Sequence, residues 1–401
     1  MKVLYFVSID EKNKTGLFNA THERVKVNAN KFTFEIYNLN FYDGYLLKFL
    51  KVLLRKKPLK KGGNYFIHDG IKYNNIYIKE TLSGKILNRF GIDILLYLKF
   101  LLKNRKIIKQ FNLISAHWGH HPGGISYWIA KLFKIPYVLT LHGSDIHTLP
   151  KERESYKKVI LRNLQNASRN IFVSNYLLNE AKKIGYDSTW DAVIYNGVDL
   201  GSFHPIVDDN KEVIKRELMV TGKVIGYVGN LVYVKGVDRI PSILKKVFEK
   251  QKDISLLIVG DGELRDSIIN EANIYNIKTY FTGKVAPTQV KKYISMMDIM
   301  ILPSRNEGLG CVLLEAQACG IPVIGSGNGG IPEAILDKDC IVEDDEQFEE
   351  KFAQKIGEIL NSANDSAVLS EYIKENFDWD KGGELEYSLY KEILEMKNMK
   401  Q

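Results

Sequence analysis

"EGLGCVLLE" (residues 307–315) sits inside "DIMILPSRNEGLGCVLLEAQACGIPVI" (298–324), and the organisation of the chain can be built outward from that run. An apolar β-branched stretch passes into a polar loop, then into a helical pattern that Gly320 closes, then into a second apolar stretch. Strand, loop, helix and strand in this order form the repeating unit of a parallel sheet. The helix is expected from near Gly310 to about Ala318. Its unpaired N–H groups and positive dipole end make a ready anion site, and Gly308 and Gly310 let backbone come close to a ligand. Glu307 stands before this helix and Glu315 a little over one turn inside it. Two acceptors around an anion site suit a diphosphate flanked by polyols, such as a sugar on one side and a ribose on the other.

The same alternation runs through the whole chain. "KVLYFVSI", "LISAHW", "PYVLTLHG", "RNIFVS" and "AVIYNG" read as strands of a first half, and "KVIGYVGN", "SLLIVGDG", "IMILPS" and "PVIGSG" as strands of a second. Helical stretches such as Asp238–Lys252 and Leu264–Asn276 separate them. Two Rossmann-like α/β domains follow, joined near "YNGVDLGSFHP" (Tyr195–Pro205), and 401 residues suit two domains better than one. Such sheets bind ligands beyond the carboxyl ends of their strands, so polar residues there are the first candidates for function.

An apolar content of 45% with 26% charged residues is that of a globular protein and excludes a disordered chain. No run approaches the ~20 apolar residues of a membrane span. "MKVLYFVSID" reads as a buried first strand rather than a signal peptide. Cys311, Cys319 and Cys340 are few, odd in number and unlike any common ligand spacing, which points to a reducing cytoplasmic setting without a metal site.

The net charge of +8 is uneven. Tyr45–Gln110 holds sixteen Lys/Arg against Asp69, Glu80 and Asp93, a balance of +13 that exceeds the whole. Two amphipathic patterns lie there. In Tyr45–Lys57, Lys48, Lys51 and Arg55 oppose Leu46, Leu47, Leu50, Leu53 and Leu54; in Ile94–Lys109, Lys99, Lys103 and Lys106 oppose Leu95, Leu98, Leu101 and Leu102. Helices of this kind lie on anionic lipid surfaces or pack on a core with their lysines in water.

Two other chemistries are weighed on the residues. "GSGNGG" (Gly325–Gly330) matches G-x-G-x-x-G, but it comes late in the second half and Pro332 follows at once, so a tight glycine turn is the better reading than a dinucleotide site. A glycoside hydrolase also uses two carboxylates, yet it has no need of a glycine-rich helix start beside them.

The spacing E-x7-E in "PSRNEGLGCVLLEAQACGIPVIGSGNGGIPE" resembles that of the retaining glycosyltransferases of family 4, which have the GT-B fold. "VLTLHGSD" (138–145), "VIYNGVD" (193–199), "VGNLVYVKGVD" (228–238), "VGDGELRD" (259–266) and "FDWD" (377–380) fall in that family's order, so the resemblance covers nearly the whole chain. It implies two Rossmann-like domains facing across a cleft. It also implies that Glu307 holds hydroxyls of the donor sugar, that Glu315 holds the ribose diol, and that the backbone of Gly308, Leu309, Gly310 and Cys311 lines sugar and diphosphate. Lys235 corresponds to the lysine that neutralises the leaving diphosphate, and Gly16 to a glycine that closes over the phosphates from the other domain. Lys284 and Val285 correspond to the backbone that reads the nucleobase, and His142 to a histidine facing the reacting carbon. Asn230 replaces the family's second clamping arginine, with Arg305 and Arg239 as nearby cations that could compensate. His117, His120 and His121 in "HWGHHPGG" either line an acceptor pocket or cap a strand.

The resulting expectation is an acceptor domain over 1–203, a nucleotide-sugar domain over 204–380 and a last helix, 381–401, that crosses back to the first. The donor is a UDP- or GDP-sugar and the acceptor a cell-envelope glycan or lipid-linked precursor, with no metal or other cofactor and no nucleic acid. The protein is expected in the cytoplasm, with its basic helices on the inner membrane face, their apolar sides already satisfied by the core and attachment electrostatic. A non-catalytic sugar-nucleotide-binding subunit and an NAD-dependent oxidoreductase are the alternatives from other classes.

Overall fold

The computed structural model describes residues 1–11, 16–188, 191–206, 208–362 and 365–399. The chain divides into two α/β units: Met1–Tyr195 together with the segment from Asp380, and Asn196–Trp379. The joins expected at 203/204 and 380/381 therefore fall instead at 195/196 and 379/380. The reason is strand pairing. Ala192 and Val193 still bond to the first unit's sheet, whereas Val198 already bridges Asp378 in the second. Residues 12–15, which precede Gly16, and 400–401, the end of the expected last helix, lie outside the described residues.

Strands of the first unit are β1 (Lys2–Val7), β2 (Thr33–Asp43), β3 (Tyr65–His68), β4 (Ile71–Glu80), β5 (Leu113–His117), β6 (Tyr137–Leu141), β7 (Arg169–Phe172) and β8 (Ala192–Val193). They form one sheet in the order β3-β4-β2-β1-β5-β6-β7-β8, parallel except for the β3–β4 hairpin. β1 is buried from Val3 to Val7 without alternation, as a central strand covered on both faces must be. β2 and β4 are polar for inner strands, yet their side chains satisfy one another. The Asn38 and Asn40 amides donate to Asn75 Oδ1 at 2.9 and 3.0 Å, and Asn38 also bonds both backbone groups of Ile9.

The helices that matter for function here are α1 (Gly16–Asn28), α2 (Tyr45–Leu53), α3 (Leu82–Asn88), α4 (Ile94–Ile108) and α5 (His121–Phe133). α4 buries Tyr97, Leu101 and Ile108. α2 does not behave as expected, because only Leu47 is buried and its apolar stripe is uncovered. A last helix, Trp379–Met399, lays Tyr390 and Ile393 into the first unit's core beside Phe32.

The second unit holds β9 (Lys223–Val228), β10 (Ile254–Val259), β11 (Lys278–Gly283), β12 (Ile299–Leu302), β13 (Val323–Ser326) and β14 (Ile341–Val342). All pairings are parallel, in the order β11-β10-β9-β12-β13-β14. The run that opened the sequence reading is β12, loop, helix Cys311–Ala318 and β13, as the pattern predicts. Gly320, in the left-handed region at φ +74°, follows that helix.

Candidate functional site

In the second unit the site grows from the loop after β12. The chain enters the helix Cys311–Ala318 through Gly310 at φ +85°, a conformation open to glycine at no steric cost. A glycine turn holds the loop in place. A Cβ on Gly329 would meet Glu307 O at 2.4 Å, one on Gly330 would meet Gly308 O at 2.3 Å, and the Gly330 N–H donates to Glu307 O at 2.9 Å. "GSGNGG" is thus occupied as a brace for the Glu307 loop, and only the four-residue helix Ile331–Ala334 follows it, which removes the dinucleotide reading.

Lys235 ends a 3-10 turn, Tyr233–Lys235, that is pressed onto the same loop. Gly236 (φ +64°) lies so close to Pro303 that a Cβ would sit 1.9 Å from its carbonyl oxygen. The Lys235 ammonium donates to Glu307 Oε1 at 2.5 Å, and Ser304 Oγ donates to the same oxygen at 3.3 Å. Glu315 differs. Its carboxyl is half-buried, has no side-chain partner among the described residues, and is pushed up to about 7 by desolvation. Cys311 is raised to about 11, also by burial, so its thiol is no ready nucleophile; its sulfur accepts from Asn196 Nδ2 at 3.6 Å. Leu309 is buried beneath the loop.

Asn230 is exposed after β9, and Lys284 and Val285 follow β11 at the sheet edge. Both cations expected to compensate for Asn230 are ion-paired within this unit. Arg305 makes a bidentate pair with Asp238 at 2.7 Å and lies over the Tyr233 ring, while Arg239 pairs with Asp344 at 2.9 Å. Both arginines brace the Lys235 turn and its flank.

In the first unit His117 ends β5 and His142 follows β6, at adjacent carboxyl ends of parallel strands. His117 Nδ1 lies 3.1 Å from His142 Nε2, and Ser115 Oγ lies 3.4 Å from His117 Nε2. Beyond Ser115 the chain of bonds continues through Tyr390 Oη at 2.8 Å to Glu386, which Arg24 holds at 3.0 Å. Glu386, paired with a guanidinium, can only accept, so it takes the single phenol proton. Ser115 then donates to Tyr390, His117 Nε2–H to Ser115, and His142 Nε2–H to His117 Nδ1. His142 Nδ1, a buried atom without a partner among the described residues, is left as the acceptor nitrogen. Burial holds both rings neutral, His117 at about 3 and His142 well below the usual imidazole range.

Asp145, quoted in a motif but given no role, fixes this turn. It accepts N–H bonds from Gly119 at 3.0 Å, His142 at 3.2 Å and Gly143 at 2.8 Å, although desolvation raises it to about 6. His120 has a buried Nε2 without a partner among the described residues and is held at about 4 by burial. His121 meets Tyr97 Oη at 3.0 Å and packs tilted against the Phe41 ring, 4.2 Å between centroids. Gly16, the first residue of α1, is exposed with open space around it. One cluster among the described residues could hold an ion: His22, His68 and Asp69, with ligand atoms within 4.8 Å of one another, although both His22 nitrogens are already engaged, by Tyr73 and Asp69.

Comparison with known proteins follows the same division. The profile "Glycosyl transferases group 1" matches residues 208–376 and "Glycosyltransferase Family 4" matches 77–202. A Bacillus subtilis protein named for teichuronic acid biosynthesis, TuaC, is 33% identical over 55% of this chain and 54% of its own, so the match spans about half of that relative. The N-acetyl-alpha-D-glucosaminyl L-malate synthase of Bacillus anthracis is 27% identical over 70% of this chain and 75% of its own. Anabaena HepE, crystallised with UDP and glucose, superposes with a TM-score of 0.74 at 16% identity, covering 98% of this chain and all of its own, 100%. With both halves matched in order and the two-sheet architecture shared, the chain belongs to the family-4 glycosyltransferases and has the GT-B fold.

Proposed function

We propose that this glycosyltransferase takes a sugar from a UDP- or GDP-sugar and passes it, with retention of configuration, to a hydroxyl of a cell-envelope acceptor, either a glycan or a lipid-linked precursor. The observation that carries the reading is the Lys235–Glu307 pair beside a helix start, with the unpartnered Glu315 inside that helix. In this reading the diphosphate rests on the N–H groups from Gly308 to Cys311. Lys235 turns from Glu307 to the departing phosphate, where a fixed cation stabilises charge that appears only as the bond breaks. Glu307, released, accepts from the sugar hydroxyls, and Glu315 accepts from the ribose diol. Lys284 and Val285 take the nucleobase, and Gly16 the phosphates. His142, neutral and with an acceptor nitrogen, takes a hydroxyl of the transferred sugar, while His117, His120 and His121 belong to the acceptor side. No cofactor is invoked. The teichuronic acid name of one relative and the UDP and glucose held by a structural neighbour support the donor and acceptor classes.

Thermal shift against UDP, GDP and their sugars tests the donor, since a ligand of the folded state raises its melting temperature. Calorimetry then separates the carboxylates: Glu315→Ala should weaken UDP or GDP itself, while Glu307→Ala should spare it and lower turnover. The reverse pattern would overturn the assignment. Binding with no donor hydrolysis would favour a non-catalytic subunit, and saturable NAD binding an oxidoreductase.

A further inference from the structure

The uncovered face of α2 is a feature that the donor chemistry does not use. Tyr45, Leu46, Phe49, Val52 and Leu53 fall at helical spacing on one stripe, and all are exposed, Tyr45 to 91% and Phe49 to 66%. Soluble surfaces rarely leave so many large apolar side chains together in water. The stripe continues beyond α2. Phe90, after α3, is 73% exposed, and Leu95, Leu98 and Leu102 project from α4 at spacings of three and four.

These helices share one end of the first sheet. The Gly44 N–H, just before α2, donates to Glu80 O at the end of β4, and α3 follows at once through its cap Thr81. Gly84 of α3 lies against Leu96 of α4, where a Cβ would sit 3.2 Å from Cδ2. Because β2, β4, β5 and β6 run parallel, this is the end that carries His117 and His142. α4 connects the two directly: its inner residue Tyr97 bonds His121 while its outer leucines face away. Lys48, Lys99, Lys103 and Lys106 are exposed on these same helices and Arg55 just after α2, within the region whose balance is +13.

We infer that α2, with the exposed sides of α3 and α4, docks on an anionic bilayer by inserting its apolar stripe among the lipid headgroups while the flanking cations contact lipid charge. An amphipathic helix with large apolar residues on one side and lysines beside them has the composition for that position. A second copy of this chain is a poor occupant, since like faces would bring two sets of exposed cations, Lys48, Lys99, Lys103 and Lys106, together. Nucleic acid is a poorer occupant, since bases would stack on the Tyr45, Phe49 and Phe90 rings but leave Leu46, Val52, Leu53, Leu95, Leu98 and Leu102 in water. Attachment is therefore hydrophobic as well as electrostatic, and it presents a lipid-held acceptor to the histidine end of the sheet. The docking stands whether or not the donor reading holds, because its test reads binding alone.

The experiment is flotation of the full chain with phosphatidylcholine vesicles, with and without about one-third phosphatidylglycerol, at 0.1 and 1 M NaCl. Strong association with the anionic vesicles at low salt is expected, with a substantial fraction retained at 1 M because insertion is not screened. Phe49→Trp should show blue-shifted emission and quenching by brominated lipid on vesicle addition. Phe49→Asp with Leu53→Asp should lose at least ten-fold in partitioning at both salts, with unchanged melting temperature and unchanged hydrolysis of a soluble donor. No association with anionic vesicles, a Phe49→Trp probe that stays in water on bound protein, or a double aspartate variant that floats like the wild type would each overturn the inference. So would a dimer in lipid-free solution that the aspartate variant dissociates.

Discussion

At the carboxyl ends of β9 and β12 the polar groups are partly buried and have few partners: Lys235 and Glu307 hold each other, and Glu315 has no side-chain partner among the described residues. At the ends of β5 and β6 the opposite holds. His117 and His142 are neutral and tied to each other, and through Ser115 and Tyr390 to a buried Glu386–Arg24 pair. The contrast separates two ways of preparing a site. On the proposed function, groups that meet charge on a ligand are left with bonds they can exchange, whereas groups that present one nitrogen in one orientation are fixed by a hydrogen-bond chain whose direction is set at its far end.

The largest expected effect breaks the exchangeable side. Lys235→Ala should lower turnover by roughly 100- to 1,000-fold, the loss of about 3–4 kcal/mol of transition-state stabilisation, with the fold intact by circular dichroism. A near-normal rate would mean that another cation meets the leaving phosphate. Next comes the fixed side. Glu386→Ala leaves the buried Arg24 without its carboxylate and should cost about 3–5 kcal/mol of stability, read by urea denaturation. A loss under 1 kcal/mol would show that water reaches Arg24 and that the chain of bonds has no firm anchor.

A smaller effect sharpens the comparison through pH. Glu315 titrates near 7 when folded against about 4.5 when unfolded, so between those values the folded state keeps a proton that the unfolded state has lost. Stability should therefore fall as pH rises from about 4.5 to 7 and level off above it. Glu315→Gln should flatten that slope and add up to roughly 3 kcal/mol at pH 8, while weakening nucleoside diphosphates. The histidines act in the other direction, since their lowered values cost stability as pH falls below 6.5. Smallest is Asn230→Arg, which restores a charge at an exposed position beside the Lys235 turn and should tighten diphosphate binding several-fold with little change in melting temperature.

How much of this could be read from the sequence depended on distance along the chain. The E-x7-E loop, its helix and its flanking strands are local, and the structure reproduces them nearly to the residue. The support for His142 is not local. Tyr390 and Ser115 lie 275 positions apart, and nothing in either neighbourhood marks them as partners. β2 and β4 escaped notice because asparagines that bond one another across strands look, in sequence, like loop residues. For α2, periodicity revealed an apolar stripe but could not say what covers it, and burial by the core was the wrong expectation.

The division at Tyr195 and Asp380 also sets a timetable. The second unit is one uninterrupted stretch and can close as soon as it has emerged from the ribosome. The first cannot, because Glu386, the counter-charge of Arg24, stands 362 residues away on the last helix. At about 5–20 residues per second, on the order of ten to forty seconds separate the synthesis of Tyr195 from that of Asp380. Throughout that interval a guanidinium destined for the interior has no carboxylate, and Phe32 lacks the Tyr390 ring that will cover it. The nascent first half therefore completes its core only when the helix made last has been added.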